Sequence, residues 1–219
     1  MNIHTVMITY NRLELTKQAV ASYLETVNGP WSMTIVDNNS TDGTREWLQS
    51  YHDPSSPGHF GVQSVLLPQN KYPGFACNLG WAGAPPDTAL LHRADNDFVF
   101  LPDWETHVRL MFSADPWLGQ LGLRTDEEEM HNQHNVGGNC VIRRELWDLG
   151  LRYDERSWPD ISAKVPGYTE DSFLSPKVRK MGWEWSRVKQ PCIVDIAGNL
   201  GDGKYDDYLR QTRIDRGLL

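Results

Sequence analysis

Cysteine is scarce in this sequence, and no long apolar run occurs. The three cysteines of the 219 residues, Cys77, Cys140 and Cys192, are widely spaced and odd in number, with no C-x-x-C pair. That speaks against a thiolate zinc site and a disulfide scaffold, and it fits a reducing compartment. No apolar stretch approaches the roughly 20 residues of a membrane span. Met1 leads into a strand-like segment without a signal-peptide hydrophobic region. A soluble, cytoplasmic protein with no integral membrane contact is therefore expected. Cationic charge is also short, with 21 Lys and Arg against 29 Asp and Glu and a formal net charge of −8. Duplex binding is dominated by Lys and Arg neutralising phosphates, so a nucleic-acid partner is disfavoured. An anionic substrate meets the same repulsion unless a bound divalent cation relieves it. Tryptophan, by contrast, is abundant. Nine of them need packing and partners for their indole N–H groups.

Strand and helix signals alternate from residue 3. Residues 3–9 are short, apolar and β-branched, the pattern of a buried strand. Residues 13–27 carry Val20, Leu24 and Val27 at helical spacing, and Asn28-Gly29-Pro30 ends the run. Strand signals return at 31–36, 62–67 and 88–92, and helical ones around Trp47, Leu48 and Tyr51 and at 72–83. This order predicts a parallel sheet covered by helices, because parallel strands need crossover connections. Farther on, helices are expected over 102–113, 143–149 and 169–181, and strands over 118–123 and 136–142. Pro176 falls inside the last helix, where it would cost about 3 kcal/mol. That helix is either kinked there or restarted with Ser175 as its cap. Residues 53–61 read as a surface loop. Residues 125–135 read as an acidic, mobile loop whose His131 and His134 are solvated rather than metal-bound.

Polar clusters sit after each of the first four strands. Thr9-Tyr10-Asn11-Arg12 follows the first, Asp37-Asn38-Asn39-Ser40 the second, Asn70 the third and Asp95-Asn96-Asp97 the fourth. One polar turn carries no information, but four in succession mark a ligand crevice at the carboxyl ends of the strands. Asp95 and Asp97 bring two carboxylates together at a strand end, where they repel unless they share a cation. Hard oxygen ligands without Cys or His select Mg²⁺ or Mn²⁺, which bridge to diphosphate oxygens. Alone, Asp-Asn-Asp would be read as an acidic turn capping a helix.

These clusters, with Ser40-Thr41-Asp42-Gly43-Thr44 and Asn70-x-x-x-Gly74-x-Ala76-x-Asn78-x-Gly80, resemble the donor-binding half of glycosyltransferase family 2. The later Glu170-Asp171 resembles that family's second acidic motif, and the match keeps order and spacing from residue 3 to about 196. The resemblance implies the GT-A fold, a Rossmann-like, mostly parallel central sheet flanked by helices. It implies a single domain, 1–219, with a nucleotide-sugar half (1–97) and a smaller, less regular acceptor side (98–219). It also implies an inverting transfer from a nucleoside-diphosphate sugar, a UDP-sugar ahead of dTDP- and GDP-sugars, to an acceptor hydroxyl. The donor would be held by Thr9, Tyr10, Asn11, Arg12, Asn39, Asn70, Gly74, Asn78 and Asn96, with Asp37 on the base and Asp95 on the ribose. Asp97 would hold Mn²⁺ or Mg²⁺, with Asp95 beside it. Gly138 and Asn139 resemble the segment below the acceptor, and Glu170 would touch the acceptor itself. Asp171 would be the base, because inversion needs one on the face opposite the leaving diphosphate. The plain alternative for both acids is a favourable place at a helix N-terminus.

Two positions depart from the family pattern. Cys77 stands where relatives often carry a phosphate-binding Arg, and residues 193–198 lack the late His, leaving Asp195 as the candidate substitute ligand. The acceptor is expected to be a saccharide or glycoconjugate. A modified DNA base, a protein or a small molecule would suit the same chemistry. A nucleotidyl transferase is disfavoured, because no Gly-rich phosphate loop follows the first strand. A non-catalytic nucleotide-sugar-binding module is the rival outside enzymology.

Overall fold

A computed structural model of the chain describes residues 1–50, 61–125, 134–166 and 168–197, together with the isolated Arg210 and Ile214. Strands β1 (Asn2–Thr9), β2 (Trp31–Asp37), β3 (Val62–Leu66) and β4 (Thr88–Asp95) are parallel. Helices α1 (Leu13–Thr26), α2 (Thr44–Ser50) and α3 (Tyr72–Ala82) join them. β1 is enclosed on both faces, as its continuous apolar run requires of a central parallel strand.

β5 (Phe98–Phe100), α4 (Trp104–Ala114) and β6 (Leu118–Gly122) follow, and then β7 (Cys140–Arg143) and α5 (Arg144–Asp148). α6 (Trp158–Ser162), a 3-10 turn (Glu170–Phe173), α7 (Leu174–Lys180), β8 (Glu184–Arg187) and β9 (Ile193–Asp195) complete the order. The main sheet runs β3-β2-β1-β4-β7-β6-β8, with β7 antiparallel to both its neighbours and β8 parallel to β6. β5 and β9 form a separate antiparallel pair.

Two apolar clusters make up the core. One gathers Tyr23, Phe100, Trp104 and Phe112, with Tyr23 and Phe100 edge to face at 5.2 Å. The other gathers Trp81, Trp147 and Tyr153, and the Trp81 indole N–H donates to the His92 carbonyl at 3.2 Å. Tryptophan here is mainly packing, although Trp117 is exposed.

Several boundaries differ from those read in the sequence. The fourth strand does not stop at residue 92 but pairs with β1 as far as Ile8 and Asp95, carrying a buried arginine, Arg93, into the sheet. The strand expected over 136–142 is only β7, because Gly137 turns at φ 74° just before it. α6 was not legible, although Ser157 caps it by accepting from the Asp160 N–H, with Pro159 in its first turn. The helix expected over 169–181 divides into the 3-10 turn and α7. Pro176 falls in the first turn of α7, where its missing N–H has no helical partner to lose. Ser175 does not cap; its hydroxyl donates to Gln120 Oε1 at 2.7 Å. Most of the two expected loops (53–60 of the first, 126–133 of the second, including His131) lies outside the described residues, as does Tyr51 of the second expected helix.

Candidate active site

The loops after β1 and β2 interlock. The Asn11 N–H donates to Ser40 Oγ (2.7 Å), the Thr41 N–H to Asn11 Oδ1 (2.9 Å) and the Leu13 N–H to Asp42 Oδ2 (2.8 Å). These bonds hold Asn11 and Arg12 left-handed, at φ 57° and 64°. Two such residues in succession cost about 1–3 kcal/mol each, and strain of this kind gathers at functional sites. The strained turn points Arg12 at Asp97: Nη1 donates to Oδ2 at 2.7 Å, with side chains only 7% and 18% exposed. The other Asp97 oxygen, Oδ1, is buried without a hydrogen-bond partner. Burial pushes the Asp97 carboxyl up; Arg12 opposes that shift, and the carboxylates of Asp95 and Asp195 add to it. Asn96 braces the same corner, donating to Thr9 Oγ1 (3.1 Å) and Thr16 Oγ1 (2.8 Å). Tyr10 stands exposed at the rim.

Other expected donor contacts have structural duties. Asp37 is fully buried, accepting from the N–H groups of Asn39 (3.0 Å) and Ser40 (3.1 Å) and from Arg45 (2.8 Å). Its carboxylate closes the turn after β2, with Asn39 left-handed at φ 70°. Asn70 Oδ1 accepts from the Tyr72 N–H (2.8 Å) at the start of α3. A Cβ on Gly74 would lie 1.9 Å from the Asp154 carbonyl oxygen, so that glycine permits a close backbone approach. Asn78 is tied to the segment after α5. Its amide donates to the Tyr153 carbonyl (3.1 Å) and Glu155 (2.8 Å), and its oxygen accepts from the Tyr153 N–H (3.0 Å).

The end of β4 and the acidic pair at 170–171 are linked by Arg93, a residue with no place in the motifs. Its guanidinium pairs with Glu170 at 2.7 Å, reaches Asp95 Oδ1 at 3.3 Å and lies over the Tyr153 ring at 5.0 Å. Burial works against its charge, but the Asp95 and Glu170 carboxylates outweigh that and keep it protonated. Asn139 holds the other side of Asp95, donating to Oδ2 (3.0 Å) and accepting from its backbone N–H (2.9 Å). Gly138 makes room: a Cβ there would lie 2.9 Å from both Arg93 and Asp95. Gly138 and Asn139, expected beneath the acceptor, are thus packed against the Asp95 carboxylate.

Glu170, expected to touch the acceptor, is only 2% exposed. Its second carboxylate oxygen accepts from the Trp158 indole N–H at 2.5 Å, so both oxygens are engaged within the fold. Burial pushes its carboxyl up against the pull of Arg93. Asp171 is more open, and the Thr169 hydroxyl donates to its Oδ1. Of the two acids, Asp171 is the more exposed. The signals for Arg93 and Arg45 were faint: a charged residue inside an apolar strand, and an arginine eight positions after an aspartate.

Among the described residues, no group of three or more His, Cys, Asp or Glu side chains could by itself hold a metal. Asp95 is committed to Arg93 and Asn139, and Asp195 Oδ1 accepts from the Ala197 N–H (2.7 Å). The residues nevertheless fit Mg²⁺ or Mn²⁺, ions held by one or two carboxylates plus substrate phosphates. Asp97 Oδ1 is the unpartnered hard oxygen such an ion needs.

The sequence model described as "Glycosyl transferase family 2" matches residues 5–116. No curated protein matches the chain. Among solved structures, the mannosyltransferase PcManGT from Pyrobaculum calidifontis, in complex with GDP-Man and Mn²⁺, is similar with a TM-score of 0.72 at 18% identity. That match covers 98% of this chain and 60% of the other. TarS 1–349 of S. aureus is similar at TM-score 0.67 and 13% identity, over 98% and 65% of the two chains. Its complex with UDP-GlcNAc gives 0.68 and 13%, over 98% and 66%. The chain thus spans about three fifths to two thirds of those structures' length. At these identities the likeness shows the fold, the GT-A arrangement of a helix-flanked seven-stranded sheet.

Proposed function

Because the chain belongs to glycosyltransferase family 2, as the match over residues 5–116 shows, we propose that it transfers a sugar from a nucleoside-diphosphate donor to an acceptor hydroxyl with inversion. The observation that supports this best is the loop after β1, braced by the loop after β2, bringing Arg12 onto Asp97 at the end of β4, where Asp97 Oδ1 is buried and unpartnered. In this reading the diphosphate lies against Arg12 and Asp97, in the donor half formed by residues 1–97. A divalent ion would be held by Asp97, with Asp95 and Asp195 adjacent, and would stabilise charge on the departing nucleoside diphosphate as a Lewis acid.

The chain's own residues do the rest. Asp171 takes the proton of the acceptor hydroxyl as that oxygen attacks the anomeric carbon, and the Thr169 hydroxyl orients the carboxylate. One displacement, with base and leaving group on opposite faces, inverts the configuration. Arg93 and Glu170 fix the acidic turn relative to β4, so donor and acceptor sides keep a set spacing. UDP-sugars are the first donors to try and GDP-sugars the second, since similar structures hold UDP-GlcNAc and GDP-Man. A saccharide is the first acceptor class, and the chain's acidic balance weighs against DNA.

The test is turnover. The protein with Mn²⁺ is incubated with UDP-, GDP- and dTDP-sugars, with and without a mixture of saccharide acceptors, and released nucleoside diphosphate is quantified. Release from one donor class, accelerated by an acceptor, is the expected result. Tight nucleotide binding with no release from any donor would instead make the chain a binding module.

A further inference from the structure

Arg12 stands where an incoming metal would meet it. Its guanidinium already occupies one oxygen of Asp97 at 2.7 Å, and the strained turn at Asn11 and Arg12 exists in a fold that holds it there through Ser40 and Asp42. The pair is nearly dry, at 7% and 18% exposure, and in such a place charge has to balance locally. Asp97 brings one negative charge and Arg12 one positive. A divalent ion on Asp97 Oδ1 would add two more positive charges within the width of one carboxylate of the guanidinium, and the like charges repel. Asp95 gives little relief, because its carboxylate is already shared between Arg93 and Asn139, and the nearby Asp195 is exposed, with Oδ1 taken by the Ala197 N–H. A nucleoside diphosphate carries several negative charges and offers both cations a partner at once.

We propose that Arg12 is the resident counter-cation of Asp97: it keeps divalent ions off the nucleotide-free site and passes to the diphosphate when ion and nucleotide arrive together. This rests on the donor-binding reading above. It makes ion and nucleotide binding strongly and reciprocally coupled, each raising the other's affinity by the same factor. It also assigns the diphosphate's protein cation to the loop after β1, whereas helix α3 has the neutral, buried Cys77 at the place of the family's arginine.

The test reads Mn²⁺ directly, by the electron paramagnetic resonance signal of the free ion, in titrations of wild type, Arg12→Gln and Arg12→Lys. Without nucleotide, wild type and Arg12→Lys are expected to hold Mn²⁺ weakly. Arg12→Gln should hold it about tenfold more tightly, within the range usual for coupled sites. Added UDP or GDP should strengthen Mn²⁺ binding markedly in wild type and much less in Arg12→Gln. A folded Arg12→Gln protein, checked by its melting curve, that binds Mn²⁺ no more tightly than wild type would overturn the proposal. If that variant does not fold, wild type decides: equal Mn²⁺ affinity with and without a bound nucleotide would overturn it too. Failure of UDP and GDP to bind any of the proteins would count against the donor reading, while the Mn²⁺-only titrations still decide the role of Arg12.

Discussion

Asp171→Asn is expected to lower the rate of sugar transfer by about 10²- to 10⁴-fold, the usual contribution of a positioned general base. At 1.36 kcal/mol per decade that is about 3–5 kcal/mol of transition-state stabilisation. The replacement keeps the shape of the side chain and can still accept from the Thr169 hydroxyl, so the turn at 170–173 is expected to stand. Nucleotide affinity should be unchanged, because the change lies away from Arg12 and Asp97. The check is kcat for transfer alongside the Kd for the nucleoside diphosphate. A variant within about threefold of wild type would remove Asp171 from the chemistry, since even weak base catalysis is worth about a hundredfold. The neighbouring acid is not an equal candidate. Glu170 already has one oxygen on Arg93 and the other on Trp158, and a base needs a free lone pair facing the substrate.

Arg93→Leu is expected to destabilise the fold by about 3–5 kcal/mol, the typical cost of breaking a buried ion pair by removing one partner. Leucine fills part of the volume but leaves Glu170, only 2% exposed, with an uncompensated charge. It also strips Asp95 of the contact at 3.3 Å that helps hold it at the end of β4. Urea unfolding of the single and double variants measures this. Adding Glu170→Gln should recover a good part of the loss, because residues in one ion-pair network show coupling of about 0.5–3 kcal/mol. A loss below about 1 kcal/mol would be the behaviour of an exposed pair and would contradict the buried arrangement described here.

The parts of this molecule legible in the sequence are those fixed by short-range pattern. The apolar β-branched runs of β1 to β3 and the helical spacing of α1 follow from periodicity alone. So do the polar turns that come after each strand. What the sequence hid is pairing across distance. Arg12 meets Asp97 across 85 positions, and Asn78 meets Tyr153 across 75. Neither spacing leaves a local signal. Asp37 illustrates the same gap, because its place in the motif was evident but its enclosure by Arg45 was not. β4 was cut short for a related reason: His92 and Arg93 read as the end of an apolar run, although the fold supplies partners for both. The His92 ring is 3.0 Å from the Thr5 hydroxyl, and Arg93 has its two carboxylates. α6 was missed because five residues are too few to establish a period, although its cap and proline were present.

The most direct test of a nucleotide crevice centred on Arg12 and Asp97 is thermal melting of the protein against UDP, dTDP, GDP, CDP and ADP, each with and without Mn²⁺. A ligand at 100 times its Kd adds about 2.7 kcal/mol, and for a domain of this size each kcal/mol raises the midpoint by about 2–4 °C. A rise with one nucleoside diphosphate that needs Mn²⁺, with little shift from Mn²⁺ alone, is the expected result. No rise with any nucleotide, with or without the metal, would contradict it.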